Sequence, residues 1–307
     1  MRILIVGAGA LGGYFGGRLL EAKRDVTFLV RPRRAEQLAK TGLVIKSPLG
    51  DARIASPPLV LAENIAGAFD VILLGCKAYD LDDAMDSFAP AVGPNTAIIP
   101  VINGMRHIDA LVARFGKERV LGGLAIISAT LGADGTIMHL NDRKLLTYGE
   151  LDGSSSPRMV KLAELFAGVA IDTQQSAIIV QELWEKWIFI AALASITSLM
   201  RAQVGDVAAA NGADFAMAIF AECSAIATAN GFAPRQAVID RARPTLTPMG
   251  STLAASMAMD IDRGARIEAD AIIGDLLARK KDRASPLLEV VHIHLKSYEA
   301  RKRRETT

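Results

Sequence analysis

Apolar runs with strand character alternate with helical spacing over the first half of the chain, and only helical spacing remains in the second. Arg2–Val6 (RILIV) is a short apolar run. Residues 13–22 follow it with Leu11, Phe15 and Leu19 or Leu20 at helical spacing, and residues 25–30 (DVTFLV) predict a second strand. Residues 43–46 and 52–54 flank Pro48-Leu49-Gly50 as a hairpin excursion. Residues 70–76 (DVILLGC) form a continuous apolar run, as a parallel strand covered on both faces requires. Residues 96–102, 120–128, 136–140 and 144–149 predict further strands, with Asp134-Gly135 as a hairpin turn. Beyond Gly153-Ser154-Ser155-Ser156-Pro157, a helix over 159–167 and a strand over 170–173 close this part. From Ala177 onward the pattern predicts helices over 180–199, 210–230, 234–241, 251–262, 267–280 and 285–301, punctuated by Gly231, Pro234, Pro244 and Pro248. The expected architecture is α/β: a parallel-sheet domain over residues 1–175, which Gly7-Ala8-Gly9-Ala10-Leu11-Gly12 after its first strand makes a dinucleotide-binding domain of the Rossmann type, then an all-helical domain over residues 176–307, expected to serve substrate and dimerisation.

The turn after the first strand narrows the chemistry. Gly7-Ala8-Gly9-Ala10-Leu11-Gly12 is a G-x-G-x-x-G set between strand and helix, the context that gives the motif its meaning. Gly7 permits a tight turn, Gly9 lets a pyrophosphate approach the backbone, and Gly12 lets the helix pack close to the strand. The helix N-terminus then offers N–H groups to the phosphates. The second strand ends Leu29-Val30-Arg31, followed by Pro32-Arg33-Arg34. A site for NAD commonly places a carboxylate there; arginines and no local carboxylate predict NADPH, with Arg31 on the 2′-phosphate.

Composition sets outer limits. The chain has 307 residues, 51% hydrophobic, with net charge +2, which gives ample core and no global field toward nucleic acid. The basic segment 296–304 reads as a solvated helix tail. Cys76 and Cys223 are the two cysteines, too few for a disulfide framework. The longest uncharged apolar run, residues 187–200, spans 14 residues and suits a buried helix better than a bilayer. A soluble cytoplasmic protein without a membrane partner is expected. His107, His139 and His292-x-His294 lack metal-ligand grouping, so no metal is assigned.

Several polar residues sit where polarity is costly. Lys186 heads that uncharged run, and a lysine there needs a partner, a use, or a route to the surface. Glu268 lies at the start of an apolar helical stretch. Lys77 follows the strand over 70–76, and Asn103-Gly104-Met105 follows the next, both at carboxyl ends where ligands bind in such sheets.

The glycine motif, Lys77, Asn103-Gly104-Met105, Glu182-Leu183-Trp184-x-Lys186 and Glu268, in this order, resemble the ketopantoate reductase (2-dehydropantoate 2-reductase) family from Arg2 to about Tyr298. The resemblance implies NADPH-dependent reduction of a 2-keto acid to a 2-hydroxy acid in a cleft between two domains, and thereby a place in pantothenate biosynthesis. It implies Lys186 as the catalytic lysine and Glu268 as the active-site glutamate. Ser256 matches the substrate-holding serine, and Asn103 and Lys77 match positions beside nicotinamide and substrate. One departure stands out. The family's helix carries asparagines four and eight residues after the lysine, where this chain has Ile190 and Ala194. At ~100° per residue both lie within about 80° of Lys186, and Thr197 lies at about 20°, so all three are expected at the substrate. The replaced asparagines favour either another branched 2-keto acid or a non-catalytic NADP-binding sensor; Lys186 with Glu268 favours an enzyme. An apolar helical domain of this size suits a homodimer.

Overall fold

The computed structural model describes residues 1–306. Its contacts divide the chain into two units: Met1–Ile102 with His107–Val180, and Asn103–Arg106 with Gln181 onward. The second unit thus takes four residues from the middle of the first, and the division falls at Val180 rather than 175.

The first unit runs β1 (Arg2–Val6), α1 (Ala10–Glu21), β2 (Asp25–Leu29), α2 (Pro32–Thr41), β3 (Leu43–Lys46), β4 (Ala52–Ile54), β5 (Leu59–Val60), β6 (Phe69–Leu74), α3 (Leu81–Phe88), β7 (Val92–Pro100), α4 (Arg106–Phe115), β8 (Leu121–Leu131), β9 (Ile137–Glu150), α5 (Pro157–Phe166) and β10 (Asp172–Gln175). Five strands form a parallel sheet in the order β5-β2-β1-β6-β7. Successive side chains enter opposite cores. Ile3, Ile5, Val71 and Leu73 join Phe15 and Leu19 of α1, while Leu4, Val6, Ile72 and Leu74 join Leu81 and Phe88 of α3. That two-sided burial is why these strands carry unbroken apolar runs. The strand order reverses between β1 and β6, which puts a ligand crevice outside their carboxyl ends. A second sheet, β10-β9-β3-β4, has β8 paired antiparallel along nearly the whole length of β9.

Three differences from the sequence reading have simple causes. The arginine-rich stretch after β2, to which the sequence reading assigns no element, is helix α2, opened by Pro32; its amphipathic face is short and mostly polar, with Leu38 its one buried residue. The strands expected over 136–140 and 144–149 are one strand, β9, whose polar middle is largely exposed at the irregularity in its pairing with β8 between Ile127 and Ala129. Strand β7 ends at Pro100, so Asn103 lies in the following loop.

The second unit is helical: α6 (Ile179–Met200), α7 (Val204–Ala209), α8 (Ala213–Ala229), α9 (Gln236–Leu246), α10 (Ser256–Asp262), α11 (Asp275–Ala278) and α12 (Pro286–Thr306). The helix expected over 210–230 is α8, which begins only at Ala213 because Asn211 takes φ +62°; the short α7 before it has no counterpart in the sequence reading. The expected helix over 267–280 is a π-helical turn, Asp270–Gly274, running into α11. Helix α6 has 22 residues and, by length and composition alone, could cross a membrane; 72% of its most apolar window is buried inside the protein, as in a core helix. Trp184, Trp187, Ile188, Ala191, Ala192 and Ile196 are all buried. Its first turns are anchored by Glu185, 5% exposed, whose carboxylate accepts bonds from Arg235 Nε at 2.9 and 3.0 Å, Arg235 Nη2 at 2.5 Å and the Arg235 backbone N–H at 2.9 Å. Burial works against the Glu185 charge, but the guanidinium outweighs it and holds the carboxyl below its ordinary pKa.

Glu185→Gln tests this anchor. Because Arg235 is half exposed, the expected loss at neutral pH is about 1–3 kcal/mol rather than that of a fully buried pair. A folded-state pKa below the unfolded value gives stability that is present above about pH 4.3 and lost as pH falls through the folded value. Denaturant curves of the two proteins should therefore converge as the pH falls through the carboxylate range; a difference that does not shrink in acid contradicts the assignment.

Candidate active site

In the first unit the glycine turn is shaped for a dinucleotide. Gly7 has φ +91° and donates its N–H to Leu29 O at 2.9 Å, which turns the chain away from β1. A Cβ on Gly12 would stand 2.0 Å from Gly7 O, so no side chain is accommodated there. A Cβ on Gly9 would meet no atom within 4 Å; the backbone of Gly9 faces open space at the N-terminus of the 12-residue α1. Together these are the close-packed and the accessible faces that a pyrophosphate requires. The residues present therefore fit a dinucleotide. Lys77 is half-buried after β6, at the point where the strand order reverses.

Beside the turn lies a groove of about 540 Å³ whose lining includes Arg31, Arg33, Arg34 and Lys40 from the α2 region, and Gly132 from the β8–β9 hairpin. No sequence motif singles out Arg34. Its guanidinium donates to Ala8 O at 3.0 Å, Gly135 O at 3.2 Å and Gln37 Oε1 at 2.5 Å, tying the glycine turn to the hairpin tip. Arg31 is not waiting unpaired: Nη2 lies 3.0 Å from Asp80 Oδ1 and 3.6 Å from Asp83 Oδ2, and Asp80 holds its pKa above the ordinary value. The strand end that carries no carboxylate in sequence receives two in space. They come from beyond β6, two strands away in the sheet.

In the second unit, α6 is the spine. Lys186 is half-buried, has no hydrogen-bond or ion-pair partner among the described residues, and burial lowers its pKa to about 8. The next residue, Trp187, donates its indole N–H to Ile272 O at 3.0 Å, in the π-helical turn. Ile272 in turn donates its N–H to Glu268 O at 3.0 Å. Gly104 closes the same cluster: with φ +90°, a Cβ there would stand 2.7 Å from Ala271 O and 3.9 Å from Trp187 Nε1. Asn103, whose side chain makes no hydrogen bond among the described residues, is thereby held beside the segment that carries Glu268 and Lys186. Further along α6, the Thr197 hydroxyl donates to Leu193 O at 2.7 Å and accepts the Ala255 N–H at 3.2 Å. That bond fixes the entry to α10, whose first residue, Ser256, is exposed.

Two expectations change here. Thr197 is fully buried and its hydroxyl is occupied within the protein, so it positions the Ser256 segment and does not face substrate. Ala194 is 3% exposed, which leaves Ile190, half-buried, as the accessible one of the two replaced positions. A helical wheel gives their angles correctly but not the groups that pack on each angle. Trp187 belongs to none of the sequence motifs; an indole N–H on an apolar helix is its only signal there.

Comparison with known proteins agrees with both units. Residues 3–153 match the family described as ketopantoate reductase PanE/ApbA, and residues 179–299 match its C-terminal region. The chain belongs to the ketopantoate reductase family. It is an oxidoreductase of that family. It is 38% identical over 305 residues to the uncharacterized oxidoreductase YkpB of Bacillus subtilis (strain 168), covering 98% of this chain and 100% of the relative. A solved structure of 2-dehydropantoate 2-reductase from Methylococcus capsulatus is 28% identical, with 98% of each chain covered and a TM-score of 0.86. A ternary structure of D-mandelate dehydrogenase with NADH and anilino(oxo)acetate has a TM-score of 0.88 over 99% of this chain and 100% of that one; at 19% identity it shares the fold.

Thr197→Val should leave the buried Ala255 N–H without an acceptor, costing about 1–3 kcal/mol of stability. If the threonine positions Ser256, KM for the keto acid rises while the dinucleotide Kd stays within about twofold. A rise in both constants together would point to a general loss of structure.

Proposed function

We propose that this protein uses NADPH to reduce a 2-keto acid to the 2-hydroxy acid, with 2-dehydropantoate (ketopantoate) to pantoate as the first reading. The observation that carries it is Lys186: a half-buried lysine, unpartnered among the described residues, whose desolvation lowers its pKa to about 8. Structural lysines reach solvent or pair with a carboxylate; a desolvated, unpaired one is poised to give up a proton. When bound, the nicotinamide supplies a hydride to the keto carbon. The carbonyl π electrons move to oxygen, and Lys186 stabilises that charge and transfers its proton there, leaving a neutral amine and a hydroxyl. Solvent then reprotonates the amine. Glu268 and Asn103 orient the substrate around the reacting carbon, and Ser256 holds its far end. The glycine turn binds the pyrophosphate; Lys77 stands at the crevice beside the nicotinamide. Arg31 serves the 2′-phosphate, which is the basis for preferring NADPH over NADH.

Ile190 supports a second substrate. Where the family has asparagine, the accessible wall of α6 is apolar, so a branched 2-keto acid with fewer hydroxyls gains and ketopantoate loses a hydrogen bond worth about 1–3 kcal/mol. An apolar wall rejects a hydroxyl only weakly, so both acids react and their kcat/KM ratio is the informative quantity.

An NADPH-consumption screen over ketopantoate and other branched 2-keto acids tests the reading; binding of NADPH with no turnover of any of them would leave a sensor. Lys186→Ala should lower kcat by about a hundredfold or more with little change in NADPH binding. The pH dependence has a definite sign. Reduction needs the ammonium and should fall as pH rises through about 8, whereas oxidation of the hydroxy acid needs the neutral amine and should rise over the same interval. Ile190→Asn should move the kcat/KM ratio toward ketopantoate, and an unchanged ratio removes Ile190 from the specificity argument.

A further inference from the structure

Arg31 and Asp80 stand 49 positions apart and meet because β2 and β6 flank β1 on opposite sides, which brings both carboxyl ends to one rim of the sheet. Asp80 occupies the N-cap position of α3, where an aspartate ordinarily turns its carboxylate onto the helix's own first N–H groups. Here it makes no such bond. The carboxylate reaches instead to Arg31 Nη2 at 3.0 Å, and Asp83, one turn into α3, adds a second oxygen at 3.6 Å. Asp80 is 29% exposed and Arg31 68%, so the pair lies at the surface beside the cationic groove, in a position that water and a ligand can reach.

We infer that Asp80 is a specificity-determining residue that competes with the cofactor's 2′-phosphate for Arg31. This rests on the reading of Arg31 as the 2′-phosphate ligand. A phosphate approaching Arg31 must displace the carboxylate or share the guanidinium with it, and two anions on one cation repel each other. NADH has no 2′-phosphate and leaves the pair intact. Arg31 then remains neutralised and does not impose an unmatched charge beside the ribose. Asp80 therefore narrows the preference for NADPH below that of the three arginines alone, so that NADH remains a usable cofactor. Arg33, Arg34 and Lys40 line the same groove and provide the attraction that still favours the phosphate. Asp83, 80% exposed and farther from Arg31, plays the smaller part.

The test is a set of dissociation constants for NADPH and NADH, by fluorescence or calorimetry, on wild type, Asp80→Asn, Asp83→Asn, Arg31→Ala and the Arg31→Ala/Asp80→Asn double variant. Thermal melting checks that each is folded. An exposed pair is worth little, so Asp80→Asn should tighten NADPH by roughly threefold to tenfold, leave NADH within about twofold, and raise the NADPH-to-NADH preference accordingly. Asp83→Asn should change NADPH by about twofold or less. In the Arg31→Ala background the gain from Asp80→Asn should shrink to under about twofold, because the competition needs the arginine. The proposal is overturned if Asp80→Asn leaves NADPH affinity unchanged or weakens it, or if both cofactors shift equally. It is also overturned if the gain persists in full without Arg31. A different result, Arg31→Ala leaving NADPH affinity at the wild-type value, would overturn the 2′-phosphate reading itself.

Discussion

A half-buried ammonium with no ion-pair partner among the described residues is the constraint around which the second unit is built. Desolvation makes the charged form of Lys186 costly and lowers its pKa, whereas a direct ion pair with a carboxylate would raise it again. Of the carboxylates near it on α6, Glu185 is taken by Arg235, while Glu182 approaches Arg235 only to 3.8 Å and keeps one buried oxygen without a hydrogen bond among the described residues. The helix can hold an unrelieved lysine because the residues after it are apolar and packed. Trp187 and Ile188 are both buried, and neither can move without opening the core.

One helix can place several functional groups only if the loops that bear them are pinned to it. Three bonds or close approaches do this. Trp187 binds the π-helical turn after Glu268; Gly104 fits against that same turn and carries Asn103; Thr197 holds the segment before Ser256. The π-helical turn is part of the arrangement. Its wider winding suits a site where a carbonyl must also receive an indole N–H. Polar groups that look like ligands in the sequence and polar groups that hold those ligands in place are thus interleaved on α6.

The first unit presents a different feature, local positive charge on a scaffold with little net charge. In the proposed function, backbone N–H groups at the start of α1 and a cluster of cations around α2 would hold the polyanionic cofactor, while the chain as a whole stays near neutral. Arg34 links the two, since one guanidinium touches the glycine turn and the hairpin that rims the groove. Pairing Arg31 with Asp80 keeps the cluster from being a permanent, non-selective anion trap.

The range of the forces involved decides how much is legible in the sequence. The parallel sheet and the glycine turn are readable because they depend on neighbours in the chain: unbroken apolar runs, a G-x-G-x-x-G at a strand end, and helical spacing in α1. Helix α2 is harder to read, since its period is carried mainly by charged and polar residues and it buries a single side chain, Leu38. Lys186 stands out because a charge before fourteen uncharged residues is a local anomaly. The π-helical turn, the bond of Trp187 to Ile272 and the burial of Thr197 and Ala194 depend on which elements pack on which faces, and a helical wheel holds no such information. The carboxylates beside Arg31 show the same limit most plainly. The charged residues nearest to it in sequence, Arg33 and Arg34, are basic, yet its partners arrive from beyond β6, because strand order and not chain order decides which charges meet at the carboxyl end of a sheet.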